Sequence, residues 1–168
     1  LVEAAAAGIR PAAEAKGVRL IVRADPHVAR IVADPTRLQQ VTLNLFTNSM
    51  KFTPPGGEIR ATVRDDGSHV TLTVTDTGQG IDPTFLPFVF EMFRQGESSN
   101  NRMHGGLGIG LSIVRRLVQL HGGNLSAASP GLGRGATLTV SFPYQPADRS
   151  RARRGVERPD LGGGLLRG

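Results

Sequence analysis

The chain has 168 residues, 39% hydrophobic and 20% charged, enough for one compact domain with its own core and too few for two. It contains no Cys, which excludes a disulfide scaffold, thiolate chemistry and Cys-ligated zinc, so packing alone must hold the core. The formal net charge is +6, but half of that excess sits in residues 146–168, where six Arg face Asp148, Glu157 and Asp160. That stretch is rich in Gly and Pro, has no apolar period, and cannot bury enough surface to offset the entropy of ordering it. The expected organisation is therefore a domain at 1–145 followed by a disordered Arg/Gly-rich tail at 146–168. Such a tail is expected to be solvated, with no nucleic acid as partner. No apolar run approaches the roughly 18–20 residues of a membrane span, and the opening LVEAAAAGIR lacks the order of a signal peptide. A cytoplasmic fragment without direct membrane insertion is expected. Because it opens on Leu, it reads as a piece of a longer protein.

In chain order, the Ala- and Glu-rich opening predicts a helix ended by Gly17, and Arg19 to Arg23 a short buried strand. Asp34-Pro35 is a helix start, followed by Leu38, Val41, Leu45 and Phe52 at near-helical spacing and ended by Pro54-Pro55-Gly56-Gly57. Ile59, Ala61 and Val63, then Val70, Leu72 and Val74, alternate on either side of Asp65-Asp66-Gly67-Ser68, which predicts an antiparallel hairpin. A short helical patch around Pro83 to Phe93 and a polar, Gly-rich stretch lead to a strongly amphipathic helix from about Leu111, stopped by Gly122-Gly123. Leu125 and Ala127, then Ala136, Leu138, Val140 and Phe142, flank Pro130-Gly131 as a last hairpin. The order α-β-α-β-β-α-β-β predicts a two-layer α/β sandwich, with helices on one face of a mixed, mostly antiparallel sheet.

Three places in this frame carry chemistry. On the second helix Asn44, Asn48 and Lys51 fall at i, i+4 and i+7, on a face turned away from Leu38, Val41 and Leu45. Amide oxygens suit Mg2+ that keeps several waters and phosphate oxygens, and an ammonium is a mobile charge for phosphate. A solvated helix face is the plain alternative. Asp76, followed by Gly78 and Gly80, stands where a strand leaves the sheet; it could accept a hydrogen bond from an exocyclic amine such as that of adenine, or be an ordinary Asp-Gly turn. His104-Gly-Gly-Leu-Gly-Ile-Gly110 runs into a helix start, where free backbone N–H groups can meet an anion, with a flexible hinge as the alternative. Neither Lys follows a Gly, which excludes a P-loop, and no strand precedes the glycines as a dinucleotide fingerprint requires.

It is the ordered combination that carries a resemblance. Asp34-Pro-Thr-Arg-Leu-Gln-Gln-Val-Thr-Leu-Asn44-Leu-Phe-Thr-Asn48-Ser-Met-Lys51-Phe-Thr resembles the N box of sensor histidine kinases, and Asp76-Thr-Gly78-Gln-Gly80-Ile81 their G1 box. Phe90-Glu-Met-Phe93 is similar to the F box, Gly106-Leu107-Gly108-Ile-Gly110-Leu-Ser to the G2 box, and Gly133-Arg-Gly-Ala-Thr137-Leu-Thr-Val to the last nucleotide-contacting segment. The match runs in order from the start to Tyr144. It implies the ATP-binding catalytic domain of a two-component histidine kinase, with the Bergerat-type sandwich of related ATPases and chaperones.

By that resemblance Asn48, helped by Asn44, would bind Mg2+, and Lys51 would contact phosphate. Asp76, supported by Thr137, would recognise adenine, with Gly78 and Gly80 lining the base pocket. Gly106, Leu107, Gly108 and Gly110 would cradle the phosphates of ATP beneath a lid at about 94–107, coupled to the body by Phe90 and Phe93, which could equally be core anchors. Related ATPases carry a water-activating Glu where this chain has Asn44, and an amide cannot take up a proton, so phosphoryl transfer is expected over hydrolysis. None of His27, His69, His104 and His121 has the context of the family's acceptor. The implied partners are therefore the dimerisation and histidine-phosphotransfer helices of a homodimeric parent, and a downstream response-regulator receiver domain. An anti-sigma-factor-type serine/threonine kinase and a nucleotide-sensing module without transfer activity are the alternatives.

Overall fold

In a computed structural model of the chain, residues 1–91 and 109–144 are described. They form α1 (Val2–Lys16), β1 (Arg19–Ala24), α2 (Pro35–Phe52), β2 (Glu58–Asp65), β3 (His69–Asp76), α3 (Gly110–Leu120), β4 (Asn124–Ala128) and β5 (Ala136–Pro143), with a 3-10 turn at Leu86–Phe88. The element order is the expected one. The helical patch expected at 83–93 is only that 3-10 turn, and its end at Phe93 lies outside the described residues, as do the expected lid and the tail.

The strands form one five-stranded sheet in the order β1-β2-β3-β5-β4. The β1–β2 pair is parallel and the others antiparallel, so the sheet is mixed and mostly antiparallel. Alternation gives it two chemically different faces. Ile59, Ala61, Val63, Leu72, Val74, Leu138 and Val140 are buried under the helices, while Thr71, Thr73, Thr139 and Ser141 lie on the opposite, wetter face. Phe46 and Leu45 of α2 and Val114 and Val118 of α3 complete the core with no measurable exposure.

Local chemistry sets the helix ends. Gly17 ends α1 in the left-handed conformation at φ 74°, and the Asp34 carboxylate caps α2 by accepting from Thr36 N at 2.9 Å and Arg37 N at 3.3 Å. At the other end of α2, Thr53 donates both its N–H and its hydroxyl to Ser49 O. The α2 and α3 helices pack along their lengths, and Asp34 N, at the start of α2, donates to His121 Nε2, just past the end of α3. The pair therefore runs antiparallel. A helix rises about 1.5 Å per residue, so the start of α3 falls beside the second half of α2, the half that carries Asn44, Asn48 and Lys51.

The two ends of this packing test differently. Phe46→Ala should lower unfolding free energy by about 3–5 kcal/mol, because it empties a fully buried site. Asp34→Ala should cost only about 1 kcal/mol, the value of a helix cap. Denaturant midpoints at constant slope measure both.

Candidate nucleotide site

Asp76 is the last residue of β3 and continues the buried register of Val70, Leu72 and Val74, so its carboxylate points under the helices at only 6% exposure. Its Oδ1 accepts from Gly78 N at 2.9 Å and from Ala136 N at 3.3 Å. Burial pushes its pKa above the ordinary carboxylate value, and the N–H groups of Gly78 and Ala136 and the nearby Ser49 hydroxyl partly oppose that rise. Ser49 Oγ is itself fully buried and makes no hydrogen bond of sound geometry, yet it stands close enough to favour the ionised carboxylate. No backbone N–H among the described residues reaches the second oxygen, Oδ2, which remains an acceptor for a ligand donor.

The loop after Asp76 is held on three sides by hydrogen bonds from its backbone N–H groups. Thr77 N donates to Glu58 O, Gln79 N to Phe52 O at the end of α2, and Ile81 N to Ser129 Oγ. Gly133 N and Gly135 N, from the β4–β5 hairpin, donate to Gln79 O and Gly78 O. Two positions of this loop require glycine. A Cβ on Gly78 would stand 2.3 Å from Phe52 O, and Gly80 sits at φ 71° with a Cβ position 2.1 Å from Gly131 O.

These contacts join α2 to Asp76. Ser49 and Phe52 touch the Asp76 loop directly, and Asn48 and Lys51 are their chain neighbours. Asn44, Asn48 and Lys51 are half-buried, because the helix lies on the sheet with the Asp76 loop against its end. Asn44 Nδ2 is buried without an acceptor, and Lys51 Nζ lies 5.0 Å above the Phe52 ring. Gly110 opens α3, whose N-terminus has no side-chain cap, leaving first-turn N–H groups without a side-chain partner. Gly106, Leu107 and Gly108 lie outside the described residues. Phe90 packs half-buried against the core, as an anchor would.

The Thr137 side chain is not brought to Asp76. In the β3–β5 register it pairs with Thr75, and its hydroxyl lies 3.1 Å from Thr75 Oγ1, on the sheet face opposite the Asp76 carboxylate. The group from this segment that does reach Asp76 is the backbone N–H of Ala136, one residue earlier. Strand alternation explains the difference. Sequence reasoning also passed over Ser49 and Ser129. The first sat unremarked inside the N-box segment, and the second, before Pro130-Gly131, reads from sequence only as a turn residue.

No group of three or more His, Asp, Glu or Cys among the described residues could hold a metal ion. A separate cleft between Arg23, Asp25, Arg60, Arg64 and Asp65 lies at the far ends of β1 and β2 and includes none of the residues above.

The family model described as histidine kinase-, DNA gyrase B-, and HSP90-like ATPase matches residues 33–146. The chain belongs to this family. As a member it is an ATP-binding domain, and its relatives are histidine kinases of two-component signalling. It is 41% identical over 113 residues to the circadian input-output histidine kinase CikA of Synechococcus elongatus, covering 67% of this chain and 15% of that protein. It is 39% identical over 137 residues to the hybrid signal transduction histidine kinase D of Dictyostelium discoideum, covering 67% of this chain and 9% of that protein. The chain thus spans a small part of these relatives' length. Among solved structures, a mycobacterial sensor histidine kinase, MprB, superposes with a TM-score of 0.76 at 29% identity, over 87% of this chain and 95% of that one. Full-length ShkA in complex with AMPPNP superposes at 0.75 and 33% identity, over 87% of this chain and 30% of that one. In this histidine-kinase-type ATPase domain, α2, the Asp76 loop and the start of α3 form the candidate nucleotide site.

Asp76→Asn keeps an oxygen for Gly78 N and Ala136 N and removes a buried charge. Ionising Asp76 costs stability above its raised folded pKa, so the Asn variant should be at least as stable as wild type at neutral pH, with the advantage fading as pH falls toward the ordinary value of 3.8. Thermal melts across pH check the sign. Calorimetry on the same variant should show ATP binding lost, and unchanged affinity would remove Asp76 from the site.

Proposed function

We propose that this domain binds Mg-ATP and transfers the γ-phosphate to a histidine on a separate dimerisation helix of its parent kinase. The observation that carries the proposal is the convergence of α2 on the buried Asp76 loop, which sets an amide and ammonium row beside an acceptor suited to an exocyclic amine. In this reading Asp76 Oδ2 accepts from the adenine amino group, while Gly78 and Gly80 let backbone approach the base. Lys51 neutralises phosphate charge. The N-terminus of α3 at Gly110, with Gly106, Leu107 and Gly108 before it, supplies backbone N–H groups to the phosphates.

The residues also fit Mg2+. Asn44 and Asn48 lie one turn apart on the same helix, both half-buried, and each carries an amide oxygen. Two neutral amide oxygens are hard donors but too few for a full shell, so the ion would be held jointly by Asn48, Asn44, water and phosphate oxygens. When bound it would screen the negative charge of the phosphate oxygens. With an amide at 44, no side chain on this face takes a proton from water, which favours transfer over hydrolysis.

The nucleophile is an imidazole nitrogen, which is largely deprotonated near neutral pH and needs no strong base. Its lone pair forms the N–P bond as the bond from the γ-phosphorus to the bridging oxygen breaks, and ADP leaves with that electron pair. His121 is an unsuitable acceptor, because one ring nitrogen faces Leu117 O at 2.8 Å and the other accepts from Asp34 N. The partners are therefore the dimerisation and histidine-phosphotransfer helices of a homodimeric parent, and a receiver domain that takes the phosphoryl group onward. The site of action is cytoplasmic.

Incubation with γ-labelled ATP and a supplied acceptor-helix domain should give acid-labile phosphate on the acceptor and none on this chain. Bound ATP without label on the acceptor would overturn the transfer step and leave a nucleotide sensor. Asn48→Asp, which places a carboxylate beside the phosphates, should weaken ATP binding by at least about tenfold while the fold persists. Retained affinity would remove Asn48 from the phosphate end.

A further inference from the structure

We propose that Ser129 is the positioning residue that sets the adenine preference of the site, by locking the base-binding loop to the β4–β5 hairpin. The proposal rests on the reading that Asp76 binds the base. A hydroxyl has one proton and two lone pairs, and Ser129 uses all three. Its Oγ donates to Gly135 O at 2.7 Å and accepts from Ile81 N at 3.0 Å and from Gly131 N at 3.2 Å; Gly131 O stands at 3.3 Å.

The groups it joins are those that frame Asp76. Ile81 follows Gly80, whose Cβ position is blocked by Gly131 O, so loop and hairpin are in backbone contact at that point. Gly135 N donates to Gly78 O, and the next N–H, of Ala136, holds Asp76 Oδ1. Gly135 itself sits at φ 73°, with a Cβ position 2.1 Å from Asp76 O. Ser129 thereby closes a ring of backbone around the carboxylate from a hairpin 48 residues distant in sequence from Ile81. Among the described residues its hydroxyl bonds to none in α2 or α3, so its influence falls on the base end and not on the phosphate end.

Adenine offers Asp76 an amine donor where guanine offers a carbonyl oxygen. The penalty against guanine depends on the loop holding the base against the carboxylate, because a slack loop lets the base tilt away. Ser129→Ala leaves Ile81 N–H and Gly135 C=O without their partner, whereas Ser129→Thr retains the hydroxyl.

The test compares three ligands on wild type, Ser129→Ala and Ser129→Thr by calorimetry: ATP, GTP, and inorganic tripolyphosphate competed against ATP, all with Mg2+. The Ala variant should lose about tenfold in ATP affinity and a similar factor in its preference for ATP over GTP, with tripolyphosphate binding unchanged. The Thr variant should restore both. An unaltered ATP-to-GTP ratio, or equal losses for ATP and tripolyphosphate, would overturn the proposal. Should the Ala variant not fold, amide exchange on the wild type decides: Ile81 N–H protected without nucleotide supports the lock, and rapid exchange there overturns it. A wild type that binds no ATP would overturn the site reading itself, and the lock with it.

Discussion

A carboxylate driven under a helical layer has to be solvated by the protein itself, and the burial of Asp76 is the constraint on which the site is arranged. Water is replaced by two backbone N–H groups from different parts of the chain, Gly78 beside it and Ala136 across the sheet, with the Ser49 hydroxyl nearby. Close approach to Asp76 places glycine at 78 and 135, and the contact of loop with hairpin places it at 80. Side chains at 78, 80 and 135 would collide with Phe52 O, Gly131 O and Asp76 O respectively. Gly78 and Gly135 are thus consequences of the buried charge as much as of any ligand.

The proposed site has two halves made in different ways. The base half is a mesh of backbone hydrogen bonds between the loop after β3, the end of α2 and the β4–β5 hairpin. The phosphate half is made of side chains and helix ends, and its geometry follows from the antiparallel packing of α2 and α3, fastened where Asp34 N meets His121 Nε2. Fastening the pair at the end remote from Asp76 leaves the start of α3 beside the second half of α2, where, in the proposed reading, a polyphosphate would bridge the two helices.

The donor chemistry has its own logic. Amides at 44 and 48 offer oxygen to a hard cation without adding negative charge beside a triphosphate, so the cation and the nucleotide are best bound together. In the proposed transfer, an amide at 44 also declines the proton that hydrolysis would require, which favours an external nucleophile for the γ-phosphate. Both properties favour a domain that carries its phosphoryl donor to an acceptor held elsewhere in the parent protein.

Much of this was already written in the residue order. Capping chemistry at Asp34, the left-handed end at Gly17 and the alternation of β2, β3 and β5 are local, because each depends on neighbours within a few residues, and they specified the elements and the mixed sheet. The row Asn44, Asn48 and Lys51 and the Asp76 glycines were likewise legible as spacing. What spacing could not decide was which way a side chain points once strands pair. The β3–β5 register turned Thr137 to the outer face and gave its supposed part to the N–H of Ala136, a group identical in every non-proline residue and so invisible in sequence. Ser129 was hidden for the same reason: a serine before Pro-Gly is an unremarkable turn residue until the hairpin folds back and sets its hydroxyl against Ile81. Local pattern determined the elements and the chemistry they carry, while long-range backbone hydrogen bonds, which leave no mark on residue identity, decided which of those groups meet.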